Sequence, residues 1–467
     1  MRGRRSHTGL LVSLVVLVGL SVLAAGGVLA FPDRTAALLG SPVVHWRTGT
    51  PASDPPAVLA PLSAQAPVPT ADGVAKALAG PLADPALAGH ASLAVVDVTT
   101  GQQLYARGAG TAFLPASTTK LLTATAVLSA RGPGYRLETR VLAGPNPGDV
   151  VLVGGGDPTL AAGTNSTYTE PARLDQLAAQ VKQALGGTAP QRVIVDTSLY
   201  TGPAAAPGWD ADATTGYGAP ITALMIDGAR TAPVSAQSGH GFAPRTAQPD
   251  LAAGAAFATA LGLPAGTVSR GTAPAGARQL GLVQSPPLVR IVEEMLTESD
   301  NVIAECLARQ VALARNQPAS FAGGAAATAT VLTELGLPVA PGTLVDGSGL
   351  SRNDRLTPDL LARVLVLDAK GDRPALRSIY GGLPVAGYSG TLRDRYRKPT
   401  TGAAGAGQVR AKTGTLTPGV AAIAGIALDA DGRALAFAVL VGIGDNAFPA
   451  EDALDRLAAV LAGCGCR

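Results

Sequence analysis

Cysteine is nearly absent from this sequence: Cys306, Cys464 and Cys466 are the only three in 467 residues. Three are too few for a disulfide scaffold, and with no C-x-x-C pair the chain carries no cysteine metal motif. The terminal "CGCR" fits either a small strained bridge or a plain solvent-exposed tail. Histidine is as scarce, with four residues, His7, His45, His90 and His240. None lies in a recognisable nucleophile motif, no G-x-S-x-G elbow is evident, and there is no H-E-x-x-H helix. These absences set aside Ser-His-Asp and zinc hydrolases, and no metal or cofactor is expected. An excess of one charge is also missing. The formal net charge of +3 comes from Arg2, Arg4 and Arg5, because residues 1–30 hold no acid. The balanced remainder gives no basic footprint for nucleic acid.

Apolar sequence is plentiful, at 47% hydrophobic composition, which allows a sizeable core and more than one domain. The 58 glycines and 36 prolines call for many turns, but neither a collagen period nor an internal repeat is visible. Residues 9–31, "GLLVSLVVLVGLSVLAAGGVLAF", form an uncharged run behind the arginines. Residues 1–31 therefore read as a secretory signal or, given the length of the run, as a membrane anchor with its N-terminal side in the cytoplasm. Either way the body of the protein lies outside the cytoplasm. Residues 32–73, rich in Pro, Ala and Ser, read as an extended tether.

Folded structure is expected from Val74, with a short helix through "VAKALAG" and a hairpin turning at Thr99–Gly101. From 135 to 279 the texture changes to short β-like runs such as "GDVVLVGG" and "QRVIVDTS", with one helical stretch, "PARLDQLAAQVKQAL". That stretch reads as an inserted, mainly β domain interrupting a catalytic domain made of 74–134 and 280–467. The chain ends strand, turn, strand, helix, with Asp431–Gly432 as the hairpin signal. Strands near both ends enclosing a helical centre predict an α/β (α+β) fold whose first and last strands share one antiparallel sheet.

Three short motifs carry chemistry. In "PASTTKLLTATAVL" (115–128), Ser117 and Lys120 stand three positions apart, on one helical face. Taken alone, a capped helix with a solvated lysine would read the same way. The second motif is Ser299-Asp300-Asn301, in a break between two helical runs, and the third is Lys412-Thr413-Gly414-Thr415 at the end of a β-rich run. Each alone is weak; Ser299 could cap a helix and Lys412 could sit on a strand surface. In this order they are the S-x-x-K, S-D-N, K-T-G set of class A β-lactamases and penicillin-binding proteins.

The residue types suit acyl transfer. Serine needs a neighbouring base to become a nucleophile. Lysine, with a pKa of about 10.4 in water, serves as that base only if burial or a nearby cation neutralises it. Lys412, on the opposite wall of a cleft, is expected to be that cation. Ser299 would relay a proton toward the leaving amine, and Asn301 would hold the substrate backbone or Lys120. Thr413 and Thr415, beside Lys412, would bind a terminal carboxylate. The backbone N–H groups of Ser117 and Thr415 would form the oxyanion hole.

From Val74 to the last helix the sequence resembles the D-alanyl-D-alanine carboxypeptidases/endopeptidases of the class C low-molecular-weight penicillin-binding proteins. Beyond the three motifs, "VLVGGGDPTL", "DTSLYTGPAAAPGWD", "YGAPITALMIDG", "DGSGLSRND" and "LPVAGYSGTLRDRY" look like that family's segments. The resemblance implies the transpeptidase fold shared with serine β-lactamases, an antiparallel sheet flanked by helices, and an inserted domain between Ser117 and Ser299. It implies cleavage of the D-Ala–D-Ala bond of peptidoglycan stem peptides through an acyl-enzyme on Ser117, with endopeptidase action on cross-links as a variant. β-Lactams would be covalent inhibitors, and the membrane a partner if the N-terminal segment is retained. A β-lactamase is the first alternative, but a class A enzyme needs a deacylating glutamate between its second and third motifs. Glu305 and Glu334 are the only glutamates there, and neither sits in a matching loop. A non-catalytic cell-wall or antibiotic-binding module is the second alternative. It would be expected to have lost Ser117, Lys120, Ser299 or Lys412, all of which are present.

Overall fold

Thr70 marks the start of regular structure: its side chain accepts the Gly73 N–H and caps helix α1 (Ala71–Leu82), so the helix begins slightly before the expected Val74. The computed structural model describes residues 66–87, 90–211, 213–232, 242–397 and 401–465. The apolar N-terminal run, most of the tether, His7, His45, His240 and Cys466 lie outside the described residues. No described helix is long and apolar enough to cross a membrane.

After α1 come β1 (Ala91–Asp97), β2 (Gln103–Arg107), a 3-10 turn over Ala116–Thr119 and α2 (Lys120–Arg131). Next are β3 (Glu138–Ala143), β4 (Asp149–Val153), α3 (Leu174–Ala184), β5 (Arg192–Asp196), α4 (Pro249–Leu261), β6 (Val268–Arg270) and β7 (Gln279–Gln284). Helices follow: α5 (Leu288–Thr297), α6 (Asn301–Ala314), α7 (Phe321–Glu334), α8 (Pro358–Ala369) and α9 (Pro374–Gly382). The described chain closes with β8 (Val409–Leu416), β9 (Gly419–Leu428), β10 (Ala434–Ile443) and α10 (Phe448–Gly463).

The first sheet runs β2-β1-β10-β9-β8, antiparallel throughout, so the first and last strands share it. Both of its faces are covered. Val96, Ala424, Ala436 and Leu440 belong to one apolar core with residues of α2, α5, α6 and α8. Leu93, Ile423, Phe437 and Val439 belong to another with α1 and α10. Burial on both sides explains why β9 and β10 read as continuous apolar runs without polar alternation. Each large side chain buried this way contributes about 1.5–3 kcal/mol.

The second sheet runs β6-β5-β4-β3-β7 and is mixed. Strand β3 pairs antiparallel with β4 and β7, while β4, β5 and β6 run parallel. Two helices, α3 and α4, complete its core through Leu177, Val181 and Phe257. The region is thus built on a five-stranded sheet and carries one helix, α4, beyond the single helical stretch its sequence announces. Helix α4, "PDLAAGAAFATAL", escapes a periodicity search because small apolar residues surround it and no polar face marks the period. Its closeness to the sheet needs Gly254, where a Cβ would stand 2.6 Å from the side chains of both Val195 and Val268.

Candidate active site

Ser117 does not cap a helix. Neither the 3-10 turn that contains it nor α2 behind it has a side-chain cap bond. Its Oγ instead lies 2.8 Å from Lys120 Nζ. The lysine is wholly buried, and its other two partners are Asn301 Oδ1 at 2.6 Å and the Ser348 carbonyl at 2.8 Å. Burial lowers the Lys120 pKa to about 8, against the pull of Asp346, Glu305 and Asp300, which favour its charge.

Ser299 and Asn301 reach the same place because the chain turns sharply between α5 and α6. Ser299 has φ +60°, and Asp300 caps α6 by accepting the N–H groups of Val302 and Ile303. Ala116, just before the serine, also has positive φ, +45°. Two non-glycine residues held this way cost about 1–3 kcal/mol each, which the surrounding packing must supply. Asp300 is tied to the 138–284 region, accepting from Tyr168 Oη at 2.9 Å and pairing with Arg230 at 2.7 Å. Burial opposes its charge, yet the guanidiniums of Arg230 and Arg245 hold its carboxyl far below the usual range. Asn301 Nδ2 donates to the Tyr217 carbonyl at 2.9 Å, a second link to that region.

The facing wall is strand β8, at the sheet edge. Lys412 is also wholly buried and donates to Ser299 Oγ at 2.8 Å and to the Thr413 carbonyl at 2.7 Å. Gly414 brings the walls together, since a Cβ there would stand 2.9 Å from the Pro115 carbonyl and 3.0 Å from Ser117 N. Thr413 Oγ1 is hydrogen-bonded to Thr391 Oγ1 at 2.8 Å. Thr415 lines the cleft, but its hydroxyl proton is given to Glu451 Oε1 at 2.6 Å. Between the walls lies a cleft of about 510 Å³ that includes Ser117, Ser299, Asn301, Thr413, Gly414 and Thr415.

One expectation needs correction. Lys412 is not the main influence that neutralises Lys120. Burial is, and the repulsion between the two ammonium groups falls on Lys412, whose pKa is pushed well below 10.5 by burial first and by Lys120 second. Motif reasoning also missed Ser348, Tyr217, Thr391, the cleft-lining pair Asp210 and Arg352, 2.8 Å apart, and Glu451. The first five lie in segments whose Gly-rich texture is visible in sequence, although nothing local assigns their tasks. Cys306 is a free, buried thiol pushed up to about 12 by burial and has no nucleophilic use; Cys464 is disulfide-bonded. Glu305 and Glu334 do not line the cleft: one is buried against backbone N–H groups, and the other is exposed and paired with Arg315.

The arrangement places a hydroxyl against an amine of lowered pKa, opposite a second amine flanked by hydroxyls. It suits acyl transfer to serine from a substrate with an anionic end. The profile of the D-Ala-D-Ala carboxypeptidase 3 (S13) family matches residues 74–243 and 233–461. A carboxypeptidase of Mycobacterium tuberculosis is 43% identical over 430 residues, covering 90% of this chain and 91% of the relative. Carboxypeptidase DacB of Mycolicibacterium smegmatis is 42% identical over 475 residues, covering 100% and 99%. The crystal structure of penicillin binding protein 4 from Haemophilus influenzae shares the fold, with TM-score 0.66 at 24% identity over 80% of this chain and 96% of that one.

Proposed function

Because the chain belongs to the D-Ala-D-Ala carboxypeptidase 3 (S13) family, we propose that it is a serine carboxypeptidase cleaving the D-Ala–D-Ala bond of peptidoglycan stem peptides through an acyl-enzyme on Ser117. The observation that supports this most is the triple engagement of Lys120 by Ser117, Asn301 and Ser348 at 2.6–2.8 Å, opposite a buried Lys412. A neutral lysine amine has two N–H groups and one lone pair. Asn301 Oδ1 and the Ser348 carbonyl occupy the N–H groups, which leaves the lone pair for the Ser117 proton. The serine oxygen attacks the D-Ala carbonyl, and the backbone N–H groups of Ser117 and Thr415 hold the oxyanion. Ser299 Oγ gives its proton to the leaving nitrogen and takes up the one Lys120 removed from Ser117, which returns the amine to its neutral form. Water then hydrolyses the ester, with Lys120 again as base.

Lys412 and Thr413 bind the terminal carboxylate. A bound carboxylate favours the charged form of Lys412, and that charge in turn disfavours protonation of Lys120, so binding readies the base. Release of a D-alanine and opening of a D-Ala–diaminopimelate cross-link use the same acyl chemistry, and the second is a variant of this activity. β-Lactams acylate the same serine. The substrate places the enzyme outside the cytoplasm, with residues 1–31 as export signal or anchor. A class A β-lactamase is disfavoured because neither glutamate between the second and third motifs faces the cleft.

Mass spectrometry of the full-length protein after incubation with benzylpenicillin tests the reading. One penicillin mass on a Ser117 peptide is expected, absent in Ser117→Ala, together with D-alanine release from a pentapeptide stem. A folded wild type that shows neither adduct nor turnover would refute it.

A further inference from the structure

Beneath Lys120 lies a set of buried groups that the acyl-transfer steps do not touch. Glu305 sits on α6 one turn after Asn301 and is fully buried. Its carboxylate accepts the Gly347 N–H at 3.1 Å and the Ser348 N–H at 2.9 Å. The carbonyl of that same Ser348 is one of the two acceptors that engage the Lys120 amine besides serine. The turn is held from two more sides. Thr123 Oγ1 on α2 donates to the Gly347 carbonyl at 2.6 Å, and Asp346 accepts the N–H groups of Ser348, Gly349 and Ser351. Glycines permit the packing: a Cβ on Gly347 would stand 2.8 Å from the Ala304 carbonyl, and one on Gly349 would overlap that of Ala116. Helix α6 thus presents Asn301 and Glu305 one turn apart, and between them they fix both acceptors that orient the amine.

We propose that Glu305 is a positioning residue for the lysine base, its carboxylate fixing the Ser348 carbonyl so that, with Asn301, it aims the Lys120 lone pair at Ser117. The proposal rests on the reading of Lys120 as the base. Glu305 also acts through its charge, which burial, helped by Asp346, confines to pH above about 7. The groups facing Lys120 are Asp346, Glu305 and Asp300, which favour its protonation, and Lys412 on β8, which opposes it. Facing Glu305 are Lys120 from α2, Asp346 and Asp354 from the turn segment, and Arg309 from its own helix, 3.7 Å away. Tyr200 and Asp157 lie on the far side, against Arg309 and Cys306. Removing a negative charge beside Lys120 lowers its pKa, so the free amine persists to lower pH.

The test is the pH profile of benzylpenicillin acylation of the full-length protein. Glu305→Gln keeps an oxygen for the turn N–H groups but drops the charge. Its acid limb is expected to move down by about one pH unit, with the high-pH plateau within about threefold of wild type. Glu305→Asp keeps the charge but shortens the reach, and Thr123→Val releases the turn without any charge change. Both are expected to lose about tenfold or more on the plateau while their acid limbs stay in place. A purely structural role would lower plateaus without moving any limb. An E305Q limb that superimposes on wild type overturns the proposal, as does a wild-type plateau in E305D. Should E305Q not fold by circular dichroism, T123V and E305D carry the test, and wild-type plateaus in both overturn it. Wild type that is never acylated removes the base reading itself, a separate result from a wild type acylated like its variants.

Discussion

The two walls of the cleft each bury a lysine completely, yet surround it differently. On the helical wall Lys120 faces an amide oxygen, a backbone carbonyl and a serine, with Asp346, Glu305 and Asp300 nearby. On the strand wall Lys412 faces a serine hydroxyl and the carbonyl of its own neighbour, with Glu298 the one anion that favours its charge and Lys120 opposing it. Burial alone pushes both toward the neutral form. The difference lies in what remains unsatisfied. Lys120 has acceptors for its hydrogens at Asn301 and Ser348 and stands against the serine, which would suit the proposed base. Lys412 lacks a close carboxylate, and a substrate carboxylate would supply it.

Substitutions can break this contrast. The largest effect is expected from Lys120→Met, which keeps the length of the side chain but not the lone pair; penicillin acylation measured by mass spectrometry should fall about 10²–10⁴-fold. Lys412→Met should cost roughly 30- to 100-fold in kcat/KM on carboxylate-ended peptides, the weight of a charge-assisted bond, and much less on the same peptides ended as amides. An equal loss on both would mean that the strand wall does not read the carboxylate. Gly414→Ala pushes the walls apart, and about a tenfold loss of acylation is expected with the acid limb unmoved. Smallest is Glu451→Gln, which removes an anion next to Thr415; an increase of about threefold or less on carboxylate-ended peptides is expected, as for a partly exposed charge. No change there would show that Thr415 turns freely from Glu451 to a ligand.

Much of the fold was open to reading along the chain. The hairpin of β9 and β10 at Asp431–Gly432 follows from a turn signal between apolar runs. Helix α4 was not, because a helix apolar nearly all round carries little periodic contrast. At the site, Ser117, Lys120, Ser299, Asn301 and Lys412 stood out because their chemistry is local to short motifs. Glu305 did not. In sequence it is one acid on a helix, and its importance depends on the Gly347–Gly349 turn being folded against it.

What the sequence by itself determined is the inventory: a serine with a lysine one turn away, a second lysine at the end of a β-rich run, and no recognisable histidine or cysteine motif to compete. Spacing and side-chain type suffice for that, since helical and strand periods are local. Only the tertiary structure decided what holds and desolvates the lysine beside the serine. That depends on desolvation and on partners drawn from the turn before α2, from α6 and from the Ser348 turn, the last two distant along the chain. Electrostatic interactions act through space and grow as water is excluded, so no reading along the chain alone could assign them.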